Sequence, residues 1–217
     1  MATTKSQPTV ESRVVLSCVS WKTYEALLKD HENSSAPRFT YDRGTLEIMS
    51  PLPDHEVDNR CLETVIDAAA EAHGFDLVML GSTTFQREDL ERGFEADSCY
   101  YLANADIARG RKSFDLRTDP PPDLVVEIET SRSAVDKLVL YAAFGVPEVW
   151  RYDGRALTML VLKGDAYGPS PTSRAMPRAT SEAVGRLVRV GGTTPRRAWL
   201  ATVREWASGL GAGEVEP

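Results

Sequence analysis

Apolar and polar residues alternate along this chain with two periods, and the periods sort it into helices and strands. After Ser20, the run WKTYEALLKDH places Tyr24, Leu27 and Leu28 on one side of a helix that the serine caps. RFTYDRGTLEIMS follows as two β-prone runs around Asp42-Arg43-Gly44, where glycine permits the positive φ of a tight turn. In DHEVDNRCLETVIDAAAEAHG, Cys61, Val65, Ile66 and Ala69 recur at helical spacing, and Gly74 stands at a C-terminal cap position. Short strand-like runs come next: FDLVMLG, TTFQRE and, beyond the turn DLERG, EADSCYYLA. ADIARGRKSFDLRTDPPP is loop-like, and its closing prolines abut DLVVEIET, the most strand-like run of all. Ser133 opens a helix, SAVDKLVLYAAF, that stops at Gly145, and GVPEVWRYDGRALTMLVLKGD supplies two strands turning at Asp153-Gly154. YGPSPTSRAMPRATSEAVG is an irregular connection with room for one short strand. TTPRRAWLATVREWA closes the chain as a helix, with Trp199, Val203 and Trp206 at packing positions.

This order predicts a mixed α/β domain, a central sheet flanked by helices, over residues 13–207. Residues 1–12 and 208–217 are expected to be flexible ends. The 217 residues suffice for one core that needs no disulfide or structural metal. The polar start MATTKSQPTVESR lacks the apolar stretch of a signal peptide, and no run is long enough for a membrane span. Cys18, Cys61 and Cys99 form no CxxC pair, which points to a reducing compartment, the cytoplasm, and away from a zinc knuckle. A net charge of −7 argues against a nonspecific nucleic-acid coat, although a cluster of metal-binding carboxylates would itself be acidic. Local basic groups, Arg109 to Lys112 and Arg186, Arg189, Arg196 and Arg197, read first as solvated surface.

The acids of Asp123-Leu-Val-Val-Glu-Ile-Glu129 carry the most chemical information. Side chains alternate along a strand, so Leu124, Val126 and Ile128 face one way and Val125, Glu127 and Glu129 the other. Two carboxylates on an apolar strand are costly unless a cation neutralises them or the face lines a cleft, and their oxygens suit magnesium. A strand with a wet acidic face would look the same. Asp97, in GFEADSCYY, stands where a turn enters a strand and could face those acids, or could merely cap the turn. Lys137 lies near the start of the next helix, one turn from Tyr141, and could reach back to offset charge on a phosphate. Glu56, beside His55 at the start of the long helix, offers another carboxylate or a helix cap. No phosphate loop, GxSxG elbow, HExxH or GxGxxG occurs, so no organic cofactor is expected.

GTLEIMSP, His55-Glu56, GFEADSCYY, PPPDLVVEIETS and the run from Lys137 through GVPEVWRYD occur in order between about Phe39 and Trp206. Together they resemble the restriction-endonuclease family usually called Uma-two, a branch of the PD-(D/E)XK nuclease superfamily. The resemblance implies a restriction-endonuclease-like core, a central mixed sheet flanked by helices with additional β-hairpins. It implies that Asp97 is the motif's aspartate, Glu127 its second acid and Glu56 the helix glutamate. The motif's lysine position holds Glu129, and Lys137 fits a lysine moved to the following helix. Ala96 stands where many members have proline. The expected activity is magnesium- or manganese-dependent cleavage of DNA, with Asp97, Glu127, Glu129 and the main-chain carbonyl of Ile128 around the ion. A homodimer would suit cutting of both strands. The rival expectation is a catalytically silent nucleic-acid-binding or protein-interaction module on the same fold.

Overall fold

The structure, a computed structural model, describes residues 12–211 apart from 33, 35, 51–52 and 130–132. Of the expected flexible ends, residues 1–11 and 212–217 lie outside the described residues. Two sheets form the framework. The first is antiparallel throughout, in the order β1 (Ser12–Leu16), β3 (Thr45–Ser50), β2 (Arg38–Asp42), β6 (Arg92–Glu95), β5 (Thr84–Arg87). Helix α1 (Trp21–Asp30), capped by Ser20 through the Thr23 amide, lays Tyr24 against this sheet. Tyr24 stacks on Tyr41, and a side chain at Gly93 would overlap the Tyr24 ring, so only glycine fits there.

The second sheet runs β11 (Ala166–Ser170), β10 (Leu157–Lys163), β9 (Glu148–Tyr152), β8 (Leu124–Ile128), β7 (Ser98–Tyr101), β4 (Val78–Gly81). Only β8 and β9 are parallel, and α4 (Lys137–Ala143) lies in the crossover between them. On one face, Leu124, Val126 and Ile128 pack with α2 (Pro53–His73), α5 (Ser181–Gly191) and α6 (Arg196–Gly211). On the other face, Val125 packs with Leu140 and Tyr141 of α4 and Ala108 of the one-turn α3 (Ala105–Ala108). The alternation expected along β8 therefore separates two cores, and Glu127 falls on the α4 side.

Four differences from the sequence expectation have physical reasons. GFEADSCYY is two strands, because β6 pairs within the first sheet and β7 within the second, so the chain changes sheets at Ala96-Asp97. Helix α4 starts at Lys137 rather than Ser133: Asp136 caps it, accepting from the amides of Leu138 at 3.1 Å and Val139 at 3.3 Å. SEAVGRLVRVG is a full helix, α5, capped by Thr180 and burying Val184, Leu187 and Val188; the Pro- and Ser-rich run before it masks its periodicity. Helix α6 runs to Gly211 and buries Ala207 and Leu210, beyond the expected end of the domain.

Glu148 ties the irregular segment after β11 to the sheet. Its buried carboxylate accepts from Trp150 Nε1 at 2.7 Å, Ser173 Oγ at 3.2 Å, and the Arg174 and Ala175 amides at 2.9 and 2.7 Å. Burial raises its pKa, and these donors oppose the rise. Glu148→Ala should cost roughly 3 kcal/mol, since buried donors left unpaired each carry a desolvation penalty. Denaturant unfolding would read this as a lower midpoint, and an unchanged midpoint would refute the clamp.

Candidate active site

Asp97 lies at the seam where the chain leaves the first sheet for the second. Ser98 pairs with Val126 in the antiparallel β7–β8 ladder, so Asp97 and Glu127 stand one step beyond that pair. Both are buried, at 2% and 4% exposure, which for acids demands a partner. The Asp97 carboxylate has partners from three elements. Arg38, the first residue of β2, forms an ion pair with Oδ1; His55 Nε2 of α2 lies 3.2 Å from Oδ2; and the Ile128 amide of β8 donates to Oδ2 at 2.6 Å. One side chain thus joins both sheets and a helix.

Glu127 is held from α4. Lys137 Nζ donates to Oε2 at 2.6 Å, and the Tyr141 hydroxyl donates to Oε1. Lys137 and Tyr141 share a helix face, as their spacing requires. Burial, then the Glu127 charge, pushes the Tyr141 pKa well above the ordinary phenol value, so the hydroxyl remains a donor. Behind the pair, Cys99 is fully buried, and burial followed by the Glu127 charge raises its thiol pKa.

Glu127, Lys137 and Tyr141 open into a cleft of about 630 Å³ that is also lined by Glu129, Asp136, Arg151 and Asp153. Glu129 is directed to Arg151, 3.5 Å away, rather than into the Asp97–Glu127 pair. Glu56 is half-exposed and bonds Arg60 at 2.8 Å. The part of Ile128 that engages the site here is its amide, through Asp97. The structure therefore joins Glu127 and Lys137, sets Asp97 beside them on the Ile128 amide, puts Glu129 on the cleft with its own cation, and leaves Glu56 at the margin.

Arg38 and Glu47 were not singled out from the sequence. Arg38 opens a run that reads only as a strand, and its partner Asp97 lies at the seam between the sheets. Glu47 is buried on β3 and accepts from Arg13 at 2.5 Å, from Ser133 Oγ at 3.0 Å and from the Ala134 amide at 2.7 Å. It anchors the segment that leads into α4, and so helps to set where Lys137 projects. The only hint was its place in GTLEIMSP, a motif noted without a role.

Two buried carboxylates, Glu127 on β8 and Asp97 at the seam one step beyond the Ser98–Val126 pair, fit a hard divalent cation, which magnesium sites commonly hold through one or two carboxylates with water completing the shell. Among the described residues, no cluster of three or more His, Cys, Asp or Glu side chains forms a ready-made metal cage. Several of the basic residues noted in the sequence are engaged elsewhere. Arg109 pairs with Asp76 and Asp106, Arg186 with Glu182, and Arg196 lies over Trp199. No described helix is long and apolar enough to cross a membrane.

A family model described as "Uma2: Putative restriction endonuclease" matches residues 21–187, which takes in every residue placed at the site above except Arg13. No curated protein matches the chain.

The Glu127–Lys137 pair is nearly sealed from solvent, with side-chain exposures of 5% and 13%. Removing one partner of such a pair strands the other, at a typical cost of about 3–5 kcal/mol. Lys137→Met should therefore destabilise the fold in chemical denaturation far more than Tyr141→Phe, which removes one hydrogen bond worth about 1–2 kcal/mol. Equal effects would show that Lys137 is not the partner that Glu127 depends on.

Proposed function

The chain belongs to the Uma2 restriction-endonuclease family, and from that premise we propose that it hydrolyses DNA phosphodiester bonds with a magnesium or manganese ion. The observation that carries this reading is buried Glu127 on the cleft wall, with the Lys137 ammonium 2.6 Å away and buried Asp97 behind it on the Ile128 amide. Asp97 and Glu127 would hold the ion, with the Ile128 carbonyl as a further donor and Glu129 close by on the cleft wall. When bound, the ion supplies acidity to a coordinated water and positive charge against the scissile phosphate.

The remaining work falls to the chain's own groups. Tyr141 fixes one oxygen of Glu127 and leaves the other to Lys137. Lys137 can orient the attacking water by hydrogen bonding and offset negative charge as it grows on the phosphate. Arg151 lies on the cleft wall with its side chain 42% exposed, and can pair with a backbone phosphate through its planar fork. Glu56 would act only through outer-sphere water. Two copies in a twofold dimer would address both strands, and light scattering at twice the monomer mass checks that arrangement.

One observation favours a second reading. Asp97, Glu127 and Glu129 each already face a protein cation, Arg38, Lys137 and Arg151 respectively, so the site is neutralised without metal. A silent DNA-binding module would look the same. Incubating supercoiled DNA with the protein and magnesium or manganese separates the two. The enzyme should nick the DNA only with metal, and Glu127→Ala should lose at least about two orders of magnitude in rate. Retained cleavage in Glu127→Ala would overturn the site, and salt-sensitive DNA binding with no cleavage under any metal would select the silent module.

A further inference from the structure

Among the described residues, Arg38 is the most buried arginine or lysine. Its side chain is 8% exposed and forms an ion pair with Asp97 Oδ1, while its backbone is fixed opposite Met49 in the β2–β3 ladder. Desolvation works against its charge, and the carboxylates that sustain it are, in order, Glu127, Glu56 and Glu95. One guanidinium thus contacts one proposed metal ligand and lies within the field of the other. A guanidinium does not lose its proton in a protein, so it cannot escape a second positive charge by neutralising. A divalent ion shared by Asp97 and Glu127 would meet that fixed charge in a poorly screened interior, where like charges oppose each other strongly.

We infer that Arg38 is the resident counter-ion of the metal-free site, and that Asp97 and Glu127 take up a divalent cation only as Arg38 gives up Asp97. The inference rests on the proposed metal-dependent function and adds its regulation: metal entry is an exchange of one cation for another. Lys137 differs in kind, because it sits at the cleft edge on a flexible stem and can turn to substrate while the ion is bound. The charges of Glu56 on α2 and Glu95 on β6 also favour the Arg38 cation, so a guanidinium that leaves Asp97 stays in an acidic field. Glu95 is itself tied to Thr84 and to the Phe39 amide, at 2.5 and 2.8 Å, next to Arg38 in sequence. The exchange keeps the apoprotein folded without metal, at the expense of weaker metal binding.

The test is a manganese titration of the full chain by calorimetry, without DNA, comparing the wild type with Arg38→Met. Removing the competing charge should tighten manganese binding by roughly tenfold or more while lowering the melting temperature of the metal-free protein. Equal or weaker binding in Arg38→Met would overturn the exchange. If Arg38→Met does not fold, the Nε–H resonance of Arg38 in the wild type takes its place, read during a magnesium titration. That resonance should shift in step with metal uptake, and a resonance unchanged through saturation refutes the inference. Failure of the underlying function looks different: neither protein would bind manganese.

Discussion

Ionised carboxylates do not survive in a protein interior without positive charge or hydrogen-bond donors close by, and this structure answers that demand twice within one ladder step. Asp97 draws Arg38 from the first sheet, His55 from the long helix and the Ile128 amide from the second sheet. Glu127 draws Lys137 and Tyr141 from the crossover helix. The partners come from β2, α2, β8 and α4, so the two acids hold the layers in register as well as forming the site. Such an arrangement is poor economy for stability alone, because well-packed apolar side chains would serve as well or better. Under the proposed function, the two acids serve chemistry at that cost.

The position of Asp97 follows from topology. A chain that leaves one sheet for another has a residue or two outside both ladders, and the polar groups there must find partners across the seam. The adjacent parallel strands β8 and β9 require a crossover, and α4 supplies it. The first residue of that helix is Lys137, so the crossover that the fold needs also delivers the ammonium to Glu127. Glu47 reaches across from β3 to hold the segment before the helix, which makes the first sheet a support for the cleft wall.

What was legible in the sequence, and what was not, divides along the same lines. The alternation in DLVVEIET places Glu127 on a definite face, because a two-residue period is a local property. Lys137 and Asp97 were weak candidates from the residues alone and came forward through the order of motifs. Arg38 was invisible: nothing in RFTYD says that its first residue will pair with an aspartate at the seam between the sheets. The split between β6 and β7 was hidden for the same reason, since strand partners are chosen in three dimensions. Helix α5 was missed through local composition, its apolar period being preceded by a run of turn-forming residues.

Under the proposed function, Asp97 and Glu127 together hold one divalent cation. Crystals soaked in manganese and measured at its absorption edge would locate the metal by anomalous scattering. A single peak between the Asp97 and Glu127 carboxylates is the predicted result. A peak on Glu129 and Asp153 with Asp97 still bound to Arg38, or no peak at saturating manganese, would contradict it.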